Sequence, residues 1–130
     1  MPHLQFDVNK KLSENKKKNF INFVQKKFSE IMETGTSHIA VSVREFPKYG
    51  LALGIQRKRH FVCFMNLDVR TGRSNKKRRD LVKCYMEAIT RFFGISSENQ
   101  YLTFTSHPGK DFNTYEKSLS EWVKNDSPLD

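Results

Sequence analysis

The sequence has few of the features that mark several large classes of protein. Its two cysteines, Cys63 and Cys84, lie outside any CxxC pattern, so we expect buried free thiols and not a disulfide framework. No apolar run approaches the roughly 18 residues of a membrane span, and the start lacks the apolar stretch of a secretory signal. These absences predict a soluble, cytoplasmic protein with no membrane contact.

Motifs of well-known chemistry are also missing. A P-loop, a nucleophile-elbow serine and a paired-carboxylate signature are all absent. The histidines show no ligand spacing, so we expect no metal site. We therefore expect a protein that uses neither a metal nor a cofactor. The four histidines are His3, His38, His60 and His107.

Acidic residues are outnumbered, because 14 Asp and Glu face 23 Lys and Arg and give a formal net charge of +9 at pH 7. Such a balance suits nucleic acid, a membrane surface or small acids drawn to a positive site. The basic runs at 57–59 and 75–80 are candidates for nucleic-acid binding, or else a hairpin tip and a solvated helix face. The aromatic residues follow core spacing and no RRM, KH or zinc motif is present, so nucleic acid is disfavoured.

The patterns that are present predict two β-α-β units in the 130 residues. In residues 2–46, an alternating strand at 3–8 precedes an amphipathic helix and a β-rich stretch at 38–46. The same order returns in residues 61–106. The connector at 47–60 is rich in proline, glycine and charge, which predicts loop, a short edge strand and a turn.

The predicted fold is α+β, with one domain over 1–130 that contains a four-stranded sheet and both helices on one of its faces. The other face needs a cover, and a further copy of the chain is the natural one. We expect the C-terminal arm, 107–130, to add a short helix or arm that packs on that neighbour. Its apolar residues are Phe112, Tyr115, Leu119 and Trp122.

Capping residues set the limits of the two predicted helices. Ser13 and Ser74 are the expected N-caps, because their hydroxyls can accept from the unpaired N–H groups of a first turn. Gly35 and Gly94 are the expected left-handed C-caps, because glycine enters that conformation without a Cβ clash.

Pro2 follows the initiator methionine and opens the first strand. Removal of Met1, which is usual before a small residue, would leave a free secondary amine. Amino termini titrate near pH 8 in model peptides, and burial beside cations favours the neutral form, which is a good general base. A proline at this position is also common without any function, so the residue alone leaves both interpretations open.

Two further places carry candidate ligand-binding groups. Arg70 and Arg73 flank a Thr-Gly turn between a strand and a helix, where they could clamp a carboxylate or phosphate, or form a solvated basic turn. Tyr101 and Thr103 share one face of the last strand, and either could hydrogen-bond a ligand. Taken alone, Tyr101 is more simply interpreted as a partly buried core residue.

Taken together, Pro2, TGTSHIAVSV at 34–43, RTGRS at 70–74 and ISSENQYLTF at 95–104 resemble the tautomerase superfamily. HIAVSV and the last segment are similar to the macrophage migration inhibitory factor branch. RTGRS is similar to the cis-3-chloroacrylic acid dehalogenase and malonate semialdehyde decarboxylase branches. The resemblance covers residues 2–108. It implies a homotrimer whose sheets form a central barrel, with the active site near a subunit interface.

The resemblance also implies roles for individual residues. Pro2 is the catalytic general base or acid, and Arg70 and Arg73 are catalytic residues that bind the substrate carboxylate. Tyr101 matches the active-site tyrosine of the inhibitory-factor branch.

Other positions depart from the dehalogenase pattern. Its first-helix histidine falls nearest Glu30, its water-activating tyrosine falls at Thr103, and its C-terminal glutamate falls at Thr114, with Asp111 and Glu116 close by. These departures argue against hydrolytic dehalogenation.

The sequence is therefore interpreted as a cofactor-independent tautomerase of small 2-oxo or enol carboxylic acids. Within the enzymes, the alternative is hydration, dehalogenation or decarboxylation of a three-carbon acid. The alternative of another class is a non-enzymatic basic binding or signalling module.

Overall fold

The computed structural model describes residues 2–54 and 61–119. Within these residues the chain forms a four-stranded mixed sheet and two long helices, as the sequence predicts. Two 3-10 turns flank the last strand, at Ser97–Asn99 and Gly109–Asp111. In chain order the elements are β1 (His3–Val8), α1 (Glu14–Met32), β2 (Ala40–Glu45), β3 (Cys63–Arg70), α2 (Asn75–Phe93) and β4 (Gln100–His107).

The strand order is β2-β1-β3-β4. Within each β-α-β unit the two strands are parallel, whereas β1 and β3, which join the units, are antiparallel. As a result β1 and β2 begin at the same end of the sheet at which β3 and β4 finish. We call this the proline end, because Pro2 directly precedes β1.

The helix caps agree with the sequence at three of the four expected positions. Ser13 accepts from the N–H of Lys16 and Ser74 accepts from the N–H of Lys77, at 3.1 and 3.2 Å. Gly94 ends α2 in the left-handed region, with φ of 70°.

Gly35 is not the C-cap of α1, which corrects the sequence prediction. The C-cap lies two residues earlier, at Glu33, whose φ is 54°. A left-handed conformation costs a residue with a side chain roughly 1–2 kcal/mol. Contacts with α2 offset that cost, because Lys77 Nζ lies 2.7 Å from the Glu33 carboxylate and 3.2 Å from the Ile31 carbonyl.

One hydrophobic core lies between the helices and one face of the sheet. Aromatic rings fill its centre: Phe6 meets Phe20 edge-on at 4.8 Å between centroids, and Phe20 lies 4.5 Å from Phe93. Tyr85 is buried with them, and its hydroxyl donates to the Val24 carbonyl on α1 at 2.7 Å. Both helices are therefore fixed on the same face, as expected.

The opposite face of the sheet, for which we expect a further copy of the chain as cover, carries mainly polar side chains. Asn66 donates to the hydroxyls of Thr103 and Thr105, at 2.9 and 3.0 Å. Arg44 donates two hydrogen bonds to Asp7, at 2.7 and 2.8 Å. These groups satisfy one another or face water, so hydrophobic burial alone does not demand a second copy of the chain here.

The connector and the C-terminal arm contain little regular structure where they are described. The edge strand predicted in the connector is absent from residues 47–54, which form turns and coil, and 55–60 lie outside the described residues. In the arm, Asn113 and Ser118 form an isolated bridge and Leu119 is buried. The predicted anchor Trp122 lies outside the described residues. Neither described helix has the length and apolar composition that a membrane span requires.

Phe20→Ala tests the aromatic centre of the core. Its ring contacts aromatic neighbours from β1 and α2, so we expect its removal to lower the free energy of unfolding by about 3–5 kcal/mol. The matched control is Phe61→Ala, at a ring that is 44% exposed, which should cost under about 1 kcal/mol. Urea unfolding followed by circular dichroism measures both, and equal losses would contradict this packing.

Candidate functional site

The strand register brings the first residues of β1 and β2 and the last residues of β3 and β4 together at the proline end. His3 pairs with Ala40 on one side and with Asp68 on the other. Arg70, the last residue of β3, pairs with His107, the last residue of β4. Since α2 begins five residues after Arg70, its N-terminus also lies close to this end.

Pro2 is held in place at this end of the sheet. It is buried, and its carbonyl accepts a hydrogen bond from the N–H of Ala40 at 3.0 Å. The bond extends the β1–β2 pairing by one step beyond His3. Pro2 is therefore an ordered extension of the strand that the alternating pattern of residues 3–8 predicts.

Arg70 and Arg73 are both buried, with 1% and 8% of their surface exposed. The Arg73 guanidinium lies 5.8 Å from the centre of the Phe28 ring, so it packs on the core side chains of α1. Solvated basic turns do not look like this, because arginine is seldom so fully buried in proteins. The two arginines therefore hold positive charge away from water, and Arg70 lies at the end of β3 that is next to the start of β1.

The turn that carries the arginines owes its shape to glycine. Gly72 has φ of 122°, a value that a residue with a Cβ rarely adopts. The turn leads directly into the Ser74 cap of α2. The free N–H groups and positive dipole end of a helix start favour bound anions. Both the side chains and the backbone of this turn therefore suit an acidic ligand.

Neighbouring cations have structural partners. Lys77 binds the end of α1 through Glu33 and the Ile31 carbonyl. Arg78 donates to the Ser106 hydroxyl of β4 at 2.9 Å, and its guanidinium lies 5.3 Å from the Phe104 ring. These residues tie α2 to its neighbours.

Sequence reasoning missed one pair at the proline end. His107 Nδ1 lies 2.6 Å from the Asp68 carboxylate. The two residues are 39 positions apart, so no local spacing connects them, and His107 has no ligand spacing to the other histidines. A prediction of strand register could have found the pair. His107 pairs with Arg70, and Asp68 lies two residues before Arg70 on the same face of β3, so Asp68 and His107 are diagonal neighbours.

Tyr101 lies away from the proline end of its own chain, and Thr103 lies between the two. Tyr101 pairs with Phe64, which pairs with Asp7, four residues along β1 from His3. At about 3.3 Å per residue this is roughly 13 Å. The two residues line a shallow cavity of about 480 Å³ on the polar face. Pro2 and the arginine turn therefore lie at one end of the sheet and Tyr101 lies far from it, whereas Thr103, opposite Asn66, is level with Gln5, two residues along β1 from His3.

The positions that depart from the dehalogenase pattern do not rebuild its missing groups. Glu30 is bound to Lys27 at 3.0 Å on the solvent side of α1. Thr103 is engaged by Asn66, and Thr114 hydrogen-bonds the Lys117 carbonyl at 3.3 Å. Asp111 and Glu116 are exposed.

The basic runs and the possible metal-binding side chains are the remaining candidates from the sequence. Of the basic runs, 57–59 lies outside the described residues, and 75–80 is the first part of α2, where Lys76 pairs with Asp80 at 3.0 Å. Within residues 2–54 and 61–119, no three His, Cys, Asp or Glu side chains are arranged to hold a metal ion.

No family model matches the chain, and no curated protein matches its sequence. Solved structures do match. The macrophage migration inhibitory factor-like protein of Entamoeba histolytica is 22% identical over 91% of this chain and 98% of its own, with a TM-score of 0.76. A cis-3-chloroacrylic acid dehalogenase family member, N1, is 15% identical over 92% and 84%, with a TM-score of 0.79. This chain has the tautomerase superfamily fold.

A malonate semialdehyde decarboxylase shows the same fold at 15% identity over 85% of this chain and 88% of its own, with a TM-score of 0.70. The tautomerase superfamily fold thus extends over nearly the whole described chain, and the three matches come from the branches that the sequence resembles. Identities this low show the fold and not the activity.

Proposed function

We propose that the protein is a cofactor-independent tautomerase of small 2-oxo or enol carboxylic acids, with Pro2 as its general base and acid. One observation carries the proposal: Pro2 is fixed at the end of the sheet where Arg70 and Arg73 are buried. An amine and a pair of guanidiniums are the groups that proton transfer beside a carboxylate needs.

The surroundings of Pro2 favour a neutral amine once Met1 is removed. Amino termini titrate near pH 8 in model peptides. Burial and nearby positive charge both disfavour the protonated form. A free Pro2 amine at this site is therefore available as a base near pH 7.

The arginines complete the reaction scheme. Guanidinium groups hold a carboxylate through paired N–H donors and draw negative charge toward the adjacent oxygen. Pro2 removes a proton from the carbon next to the carbonyl, and the C–H electron pair forms the C=C bond while the carbonyl π electrons move onto the oxygen. The protonated Pro2 then gives that proton to the oxygen, which completes the enol. Ketonisation runs these transfers in reverse.

Decarboxylation or hydration of a three-carbon acid is the alternative within the enzymes. One matched structure is a malonate semialdehyde decarboxylase whose description names decarboxylase and hydratase activities. The arginine pair suits such an acid as well. Malonate semialdehyde and acetylenecarboxylate, assayed beside phenylpyruvate, distinguish the two reactions.

Pro2→Ala tests the catalytic amine. We expect wild type to convert phenylpyruvate enol to ketone and Pro2→Ala to lose about 100-fold in kcat, because a mobile primary amine replaces the secondary amine that the proline ring holds in place. Intact mass must first show that Met1 is absent from both proteins. Pro47→Ala is the matched control, because Pro47 is exposed in the connector. Equal rates for wild type and Pro2→Ala would reject the proposal.

Arg70→Gln and Arg73→Gln test carboxylate binding. Hydrogen bonds to a charged group contribute about 1.5–3 kcal/mol, so each variant should lose roughly 10- to 100-fold in kcat/KM. Arg79→Gln, on the exposed surface of α2, is the control and should keep the wild-type value. Thermal melting shows whether each variant folds. Folded variants with unchanged kcat/KM would show that these arginines do not bind the substrate.

Homotrimer formation and the role of Tyr101 can be tested together. We expect sedimentation equilibrium to give three times the 15.3 kDa chain mass. If Tyr101 enters the site of a neighbouring copy, Pro2→Ala and Tyr101→Ala chains refolded together should regain activity in about a quarter of the sites, since those sites combine an intact Pro2 and an intact Tyr101. A monomer, or no activity above that of the separate variants, would contradict this arrangement.

A further inference from the structure

His107 and Asp68 form a hydrogen-bonded pair that none of the expected roles uses. The Nδ1–Oδ1 distance is 2.6 Å, and the pair lies on β3 and β4 at the proline end. We propose that His107, oriented by Asp68, is a second proton-transfer residue of this site and exchanges a proton with the substrate oxygen while Pro2 serves the carbon. The inference rests on the proposed tautomerase function.

His107 lies beside the turn that carries the arginine pair. His107 is the register partner of Arg70. Its carbonyl also accepts from the N–H of Thr71 at 3.0 Å, which joins β4 to the start of the arginine turn. An acid held by Arg70 and Arg73 therefore lies close to the end of β4.

The Asp68 carboxylate orients the His107 ring. A carboxylate at Nδ1 holds the proton on that nitrogen and leaves Nε2 as the reactive atom. Nε2 has no hydrogen bond to any described residue, and the side chain is 40% exposed. The Phe112 ring lies edge-on at 5.9 Å between centroids and supports the imidazole from the arm.

The other described histidines lack this combination. His3 has both ring nitrogens engaged, with Ser42 Oγ at 2.6 Å and Gln5 Nε2 at 3.3 Å. His38 is exposed in the turn before β2 and pairs with no described carboxylate. Among the three histidines that the structure describes, His107 alone joins an orienting carboxylate to an open nitrogen.

In this scheme Pro2 and His107 divide the two proton transfers that Pro2 would otherwise carry out alone. Pro2 takes the proton from the carbon, and the C–H electron pair becomes the C=C bond of the enol. The His107 imidazolium gives its Nε2 proton to the carbonyl oxygen and becomes neutral, with Nδ1–H still bound to Asp68. Pro2 has gained one proton and His107 has lost one, and exchange with water restores both.

The test compares kcat and KM for phenylpyruvate in wild type, His107→Gln, His107→Ala and Asp68→Asn. We expect His107→Gln to lose roughly 100-fold in kcat, which is typical of a lost general acid, with KM changed less than about twofold because the arginines remain. Asp68→Asn should lose less. Added imidazole should restore a measurable part of the His107→Ala rate. His38→Gln is the matched control and should behave as wild type.

Failure of the proposed role of His107 and failure of the tautomerase proposal give different results. If wild type is active and Pro2→Ala is not, but His107→Gln keeps the wild-type kcat, the role of His107 is overturned and the tautomerase proposal stands. If His107→Ala melts like wild type yet imidazole restores nothing, His107 acts structurally and the inference is overturned. A wild type without tautomerase activity overturns both.

Discussion

The antiparallel pairing of β1 with β3 is the interaction on which the rest of the structure depends. Each β-α-β unit alone has two strands and one helix, too little to bury its apolar face. The pairing aligns Leu4 with Leu67 and Phe6 with Met65, which makes one core of two halves. The same pairing determines which residues lie beside Pro2 in the candidate site. Because the strands are antiparallel, Pro2 meets the end of β3 that carries Arg70; a parallel pairing would have placed it beside Cys63.

Much of this arrangement could be predicted from local patterns, and the exceptions share a cause. Alternation in residues 3–8, the Ser13 and Ser74 caps and the Gly94 stop are local, and each is confirmed. The end of α1 at Glu33 depends on Lys77, 44 residues away. The pairing of His107 with Asp68 depends on register between β3 and β4. Such features arise from contacts distant in sequence, which periodicity and composition do not report.

The distance of Tyr101 from Pro2 bears on assembly. Because β4 is an edge strand of this sheet, part of its backbone hydrogen-bonding capacity faces outward. A second copy could pair with this edge through main-chain hydrogen bonds, without needing an apolar surface. The polar face is compatible with that arrangement, since Asn66 and the threonines remain satisfied within one chain. An assembly of this kind would be held through edges and termini more than through the face of the sheet.

The burial of Arg70 and Arg73 would supply two properties that the proposed proton-transfer site needs. A guanidinium shielded from water attracts a carboxylate more strongly than an exposed one, because the local dielectric is lower. The same shielded charge disfavours protonation of a nearby amine. Substrate affinity and the basicity of Pro2 would therefore change together, and a substitution at either arginine acts on both. Packing of Arg73 against Phe28 in the core links the two properties to the stability of the fold itself.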